Sequence, residues 1–322
     1  MKPWRDEIRQ HIEGWSGRLG DRHWWPRYVY HFTDVCNAAS IITTGYLYSR
    51  DEAERLELMQ VDNASPQIIA QTRPQHKRYA RLYFRPRTPT QYRNEGIRPR
   101  DQRELGGAHC PIPVYFCFDA LEVLAQDDTE FSDGNMGSDW AQHRCDREFF
   151  LGIPFRLVFH HGAIPPNSVQ DVVFRRNAEV LVPDRLALTP GLSFVACRSA
   201  AERQTLLHLL PQGLRSAWAP SSRLGHQGLF ERKWTYVEEV LAIGDSVIFA
   251  FNPSTKTPGP FQVSFTYTEL GSRVAREWHG VGHKLNNRLR FKVPGASRGT
   301  AQLRLDDDLA FAGPLIFEDI PF

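Results

Sequence analysis

The sequence predicts an α+β protein extended by a β-rich C-terminal region, and three observations predict it. Strand-like apolar runs alternate with helical patterns up to about residue 210. A turn-forming stretch, APSSRLGHQG at 219–228, then interrupts the chain. Beyond it come short strand-like runs separated by Asn252-Pro253, Gly259-Pro260 and Gly295, the pattern of a small β-sandwich. The expected division is therefore 1–215 and 216–322. With 322 residues, 41% hydrophobic and 24% charged, the chain is long enough for one large domain or two ordinary ones.

Each element has a local cause. Trp4, Ile8, Ile12 and Trp15 fall at helical spacing, and Gly17 and Gly20 end that helix. Tyr28 to Phe32 reads as a strand. Asp34 caps a helix from Val35 to Thr43, and Gly45 closes it as a left-handed glycine. Asp51 to Gln71 is polar, part helix and part loop. Arg81 to Phe84 is a strand, followed by an extended loop set by Pro86 and Pro89. Ile112 to Phe118 (IPVYFCF) is a buried strand, Phe131 to Gly137 (FSDGNMG) a turn, and Glu179 to Val182 a short strand stopped by Pro183. Leu186 to Val195 continues as strand, and Ala200 to Leu210 is a helix. The C-terminal strands are Tyr236 to Val240, Ser246 to Phe251, Phe261 to Tyr267, Leu289 to Val293, Ala301 to Leu305 and Leu309 to Phe317.

The net charge is only +2, yet Lys77, Arg78, Arg81, Arg85, Arg87, Arg93, Arg98, Arg100 and Arg103 crowd one segment against Glu95 and Asp101 alone. Such density suits phosphate contacts, while the plainer reading is a solvated face. The cysteines, Cys36, Cys110, Cys117, Cys145 and Cys197, are scattered without a CxxC pair, so free thiols are expected rather than a zinc site or disulfides. No run of about 18 apolar residues occurs, which excludes a transmembrane helix, and the charged MKPWRDEIRQ start has no apolar signal core. A cytoplasmic protein without metal is the expectation.

Four segments in order carry the chemistry: Tyr30–Arg50 (YHFTDVCNAASIITTGYLYSR), Arg78–Gly96 (RYARLYFRPRTPTQYRNEG), Phe131–Gly137 (FSDGNMG) and Arg175–Pro183 (RRNAEVLVP). Together they resemble the DarT family of DNA ADP-ribosyltransferase toxins, over roughly residues 25–190. That family orders a His-x-Thr strand end, a helix ending in Gly-x-Leu, a Tyr-Phe-x-Pro-Arg-x-Pro loop, a Ser-Asp-Gly-Asn-like turn and an Ala-Glu-Val-Leu-Val strand in the same way.

The resemblance implies an ADP-ribosyltransferase-like fold of split mixed β-sheets with peripheral helices, with NAD as co-substrate in the cleft between them. Nicotinamide leaves the ribose and positive charge builds on its C1′, so the enzyme needs a clamp for NAD, a carboxylate near the cation and an aligned nucleophile. The resemblance assigns Glu179 as the catalytic carboxylate. An acid at the head of an apolar strand needs a partner or a task in any case, and the plainer reading pairs it with Arg175 or Arg176. Arg73 is the positional match for the family's second catalytic residue, with Arg50 as runner-up. A guanidinium is a poor base, so orienting the target base or holding the phosphates suits it better. His31, Phe32, Thr33, Asn37, Ser40, Tyr48 and Arg50 are the implied NAD contacts. Arg81, Tyr83, Arg85, Arg87 and Tyr92 alternate cations with rings, as single-stranded nucleic acid requires. Asn135 and Arg147, with Asp133, Asp139 and His143, are candidate base readers.

The implied partners are single-stranded DNA and a macrodomain antitoxin of the DarG type, in anti-phage defence. The loop RPRTPTQYRNEG resembles the guanine-directed branch of the family more than the thymine-directed one, which implies guanine as the target. An RNA-directed ADP-ribosyltransferase and a non-enzymatic single-strand binder are the alternatives. A binder would explain the arginines but not the order His31, Thr33, Glu179. No GxSxG or HExxH supports a hydrolase.

Overall fold

The computed structural model describes residues 1–60, 74–104, 109–225, 228–272, 275–283 and 287–317. Its N-terminal part contains α1 (Arg5–Arg18), β1 (Tyr28–Asp34), α2 (Val35–Thr44), β2 (Tyr46–Tyr48), α3 (Arg50–Arg55), β3 (Tyr79–Tyr83), α4 (Pro89–Asn94), β4 (Pro113–Asp119), α5 (Ala120–Leu124), β5 (Glu130–Ser132), β6 (His143–Arg144), α6 (Arg147–Gly152), α7 (Phe155–Val158), α8 (Val169–Arg175), β7 (Glu179–Pro183), β8 (Arg185–Ala187), β9 (Leu192–Cys197), α9 (Ala200–Leu209), α10 (Gln212–Trp218) and β10 (Ser222–Leu224). The capping expectation for α2 holds. Asp34 accepts the amide of Cys36 at 2.9 Å, and Gly45 closes the helix at φ 78° with its N–H on the Ile41 carbonyl.

The main sheet runs β10-β9-β4-β1-β3-β7-β5-β6, with β10 parallel to β9 and the other pairs antiparallel. It is nearly two sheets. β1 pairs with β4 along its whole length, but touches β3 through the single register pair Tyr30↔Tyr83. The expected split therefore lies between β1 and β3, with β3 and β7 in full register on its far side, from Tyr79↔Pro183 to Tyr83↔Glu179. One face of the sheet carries Val29, Ala80, Leu82, Phe84, Val114, Phe116, Val180 and Val182 into the larger core. Trp4, Phe131, Phe150 and Phe155 close that core with ring centroids 4.8–6.1 Å apart.

The C-terminal part is a sandwich of the sheet β11-β12-β15 (Val237–Ile243, Ser246–Phe251, Arg288–Lys292) on the sheet β14-β13-β16-β17 (Ala275–His283, Phe261–Glu269, Arg298–Leu305, Asp308–Ile316). Phe249, Phe265, Phe291 and Phe311 interdigitate between the two sheets. β14 is a strand that the sequence reading missed. AREWHGVGH carries too few apolar residues to register as a strand, because it forms a sheet edge. The boundary expected at 215 also shifts, since β10 still belongs to the main sheet. The sandwich is not separate from what precedes it, because its core includes Ile97 and Ala201.

Part of the arginine run serves this junction rather than a solvated phosphate-binding stripe. Arg98 is buried and lies over the Trp234 ring at 3.9 Å. Arg100 pairs with Asp307 and Arg103 with Asp308. Arg87 donates to the Phe230 carbonyl at 2.7 Å, and Gln91 donates to that of Leu229 at 2.9 Å.

Candidate active site

The split between β1 and β3 assembles the site. Past Tyr30 the ladder stops, and the His31 ring bridges the gap, its Nδ1 2.9 Å from the Arg81 carbonyl. A carbonyl only accepts, so Nδ1 carries the proton and Nε2 carries the lone pair. Burial pushes this imidazole down to about 4, which keeps it neutral at neutral pH. Thr33, two residues on and facing the same way, is buried. Phe32 points to the opposite side, where its ring meets Tyr115 at 5.4 Å.

Glu179 heads β7, directly opposite Tyr83 in the β3 register. It is 2% exposed. Its amide donates to Ser132 Oγ at 2.8 Å, and its Oε1 accepts the Met136 amide at 3.2 Å. Its Oε2 accepts no hydrogen bond among the described residues and faces Arg81 Nη1 at 3.5 Å. Burial raises its pKa, opposed by the Arg81 charge and then by the Met136 amide. Tyr83 responds in kind, its phenol raised first by burial and then by the Glu179 charge.

The turn after β5 is built to deliver the Met136 amide. Ser132 Oγ donates to the Gly134 carbonyl at 2.7 Å, and Asn135 Oδ1 accepts the Gly137 amide at 2.9 Å. A Cβ on Gly134 would meet the Phe174 ring at 2.2 Å, so only glycine lets the turn approach α8. Arg175 secures the same turn through Asp133 at 2.7 Å, and Arg176 Nη2 lies 2.6 Å from His160 Nδ1. Neither is the partner of Glu179, so the salt bridge considered for them is replaced by Arg81. The register that places Arg81 there joins segments about 100 residues apart, and spacing along the chain does not show it.

The remaining candidates divide. Asn37 and Ser40 are on α2, where Asn37 Oδ1 accepts the Gln60 amide at 3.0 Å. Tyr48 ends β2, and Arg50 opens α3 and pairs with Glu54 at 3.0 Å. Arg73 lies outside the described residues. Arg85, expected on the nucleic-acid surface, is instead buried, donating to the carbonyls of Pro86, Val158 and His160 over the Trp25 ring. Burial lowers its pKa to about 9. Arg87 is partly exposed and sits at φ 56°, the left-handed region that a non-glycine residue enters at a cost. Arg147, expected as a base reader, grips Glu7 of α1 through Nε at 2.8 Å. His143 Nδ1 is 2.5 Å from Glu130, and Asp139 is exposed. Tyr92 is 47% exposed and Trp140 68% exposed, leaving rings at the surface. Trp140, four residues past Met136, is a stacking candidate that the sequence reading passed over.

Residues 30–220 match the profile of the family described as ssDNA thymidine ADP-ribosyltransferase, DarT, which is more than half of the chain. A solved structure of Thermus sp. 2.9 DarT in complex with ADP-ribosylated ssDNA is similar at 19% sequence identity and a TM-score of 0.48, over 64% of this chain and 96% of that one. Thermus sp. 2.9 DarT in complex with NAD+ is similar at 18% identity and a TM-score of 0.45, over 62% and 93% of the two chains. The complex with carba-NAD+ is similar at 19% identity and a TM-score of 0.45, over the same shares. No curated protein matches the chain. No helix among the described residues is long and apolar enough to cross a membrane, and no group of three or more metal-ligating side chains occurs among them.

Proposed function

The chain belongs to the DarT family of ADP-ribosyltransferases, and from that premise we propose that it moves ADP-ribose from NAD to a base of single-stranded DNA, with guanine as the target. One observation carries the reading: the buried Glu179 carboxylate, whose Oε2 accepts no hydrogen bond among the described residues, meets Arg81 of β3 beside the split that a neutral His31 bridges. In the reaction the C1′–N bond breaks, nicotinamide leaves with the electron pair, the base attacks C1′ and its proton passes to solvent. The Glu179 charge stabilises the cation forming at C1′ and its Oε2 accepts from a ribose hydroxyl. His31 offers a lone pair at Nε2, an acceptor for a ribose hydroxyl or the nicotinamide amide.

The family description names thymidine. The wording of the loop Arg85–Gly96 resembles the guanine-directed branch of the family, and that resemblance alone is the basis for guanine. Labelled NAD given with single-stranded oligonucleotides of defined composition should release nicotinamide and leave an ADP-ribose adduct on those containing guanine. An adduct on a thymine-only oligomer overturns the choice of base. Transfer to RNA alone overturns the DNA reading, and binding without nicotinamide release overturns the enzyme. We further propose that a macrodomain antitoxin of the DarG type reverses the modification and that the pair serves in anti-phage defence. The basis is that a base-modifying enzyme endangers its own host.

His31 gives a second expected result. An imidazole of ordinary pKa would print an inflection near about 6.5 on NAD affinity. Because His31 titrates at about 4, NAD affinity measured by calorimetry should be flat between about pH 5.5 and 8 as far as this residue is concerned. An inflection near 6.5 that disappears in His31→Asn contradicts a His31 held neutral by burial.

A further inference from the structure

We propose that Arg81 is the positioning residue of this site: its guanidinium holds the ionised Glu179 carboxylate in place while its backbone carbonyl fixes the tautomer of His31. The sequence reading placed Arg81 among nucleic-acid contacts, and the proposal rests on the ADP-ribosyltransferase reading above. The side chain is anchored from behind, with Nη2 donating to the His76 carbonyl at 3.2 Å. That anchor sets Nη1 at 3.5 Å from Glu179 Oε2, close enough for charge attraction yet beyond a good hydrogen bond. An arginine clamping a carboxylate in the usual bidentate way would occupy both oxygens. Here Oε1 is taken by the Met136 amide and Oε2 keeps its lone pairs for a substrate hydroxyl. Meanwhile the Arg81 carbonyl takes the His31 proton at 2.9 Å. One residue of β3 thus couples the two halves of the split site.

The other groups facing Glu179 do not supply this charge. Tyr83, opposite it on β3, is a neutral phenol. Glu130, one row along β5, is an acid bound by Tyr79 Oη at 2.9 Å and His143 Nδ1 at 2.5 Å. Ser132 and Met136 offer neutral dipoles. Arg175 is engaged with Asp133. Among these groups Arg81 alone brings positive charge to the carboxylate.

The test compares wild type, Arg81→Gln and Arg81→Lys in full-length protein, using NAD with single-stranded DNA, across pH. Arg81→Gln should lose about tenfold or more in kcat at neutral pH, with a smaller change in the KM for NAD. The acidic limb of its kcat profile should move to higher pH, because the charge that favours ionised Glu179 is gone. Arg81→Lys should restore part of both. The Glu179 carboxyl, followed by 13C NMR and assigned with Glu179→Gln, should also titrate at higher pH in Arg81→Gln, a readout independent of turnover. An unmoved limb with an unmoved titration overturns the proposal. So does a rise in KM with kcat unchanged, which would make Arg81 a direct substrate contact. Inactivity of the wild type with an upward NMR titration in Arg81→Gln would sink the transferase reading while upholding the local role of Arg81.

Discussion

Glu179→Gln should lower ADP-ribose transfer by at least about a hundredfold while leaving the fold at least as stable as before, read as nicotinamide release beside a thermal melt. The substitution keeps shape and keeps an oxygen for the Met136 amide at 3.2 Å. It removes the charge that the reaction uses and replaces the acceptor at Oε2 with a donor. The stability half of the expectation follows from linkage. Burial raises the Glu179 pKa above its unfolded value, so between the two values the folded protein holds a proton that the unfolded chain has released. Stability therefore falls as pH rises through that window, and the residue is a net cost at neutral pH. Glutamine abolishes that slope. Alanine is a poorer probe, since it strips the Met136 amide of its partner at about 1–3 kcal/mol. Full activity in Glu179→Gln would remove the residue from the chemistry. Lost activity with a collapsed melt would make it a fold residue.

How much of this was legible in the sequence depends on the range of the interactions. The cap at Asp34, the left-handed Gly45 and the buried run around Phe116 follow from neighbours within a few residues, and the structure matches each. Glu179 stood out because a carboxylate heading an apolar strand is costly without a purpose. Its true neighbour did not stand out, because the β3–β7 register joins Arg81 and Glu179 from distant segments. Part of the arginine run was misread for the same reason. Local charge density is the same whether the acceptors are phosphates or acids elsewhere in the chain, and Arg100 and Arg103 meet Asp307 and Asp308 some 200 residues on. Arg85 was misread because its acceptors are backbone carbonyls, which no residue type announces.

The same junction yields the largest expected loss of stability. Arg198 is completely buried between two buried acids, with Nη1 3.2 Å from Glu95 and both Nε and Nη2 on Glu202. It also donates to the Pro111 carbonyl at 3.0 Å and lies over the Tyr236 ring at 4.1 Å. Glu95 in turn accepts the amides of Glu231 and Arg232 at 2.9 and 3.0 Å, and the Gln91 side chain at 2.7 Å. The triad thus ties the loop carrying Arg85 and Arg87 to the chain that enters the sandwich. Arg198→Ala strands two buried carboxylates and should cost about 3–5 kcal/mol, measured by denaturant unfolding. Arg198→Lys should recover little, because a single ammonium cannot serve both acids and the carbonyl together. The exposed pair Arg100–Asp307 is the internal control: Asp307→Ala should cost at most about 1 kcal/mol. Should Arg198→Ala prove as mild as Asp307→Ala, the triad would not hold the junction. The apolar seam around Ile97 and Ala201 would then carry the docking by itself.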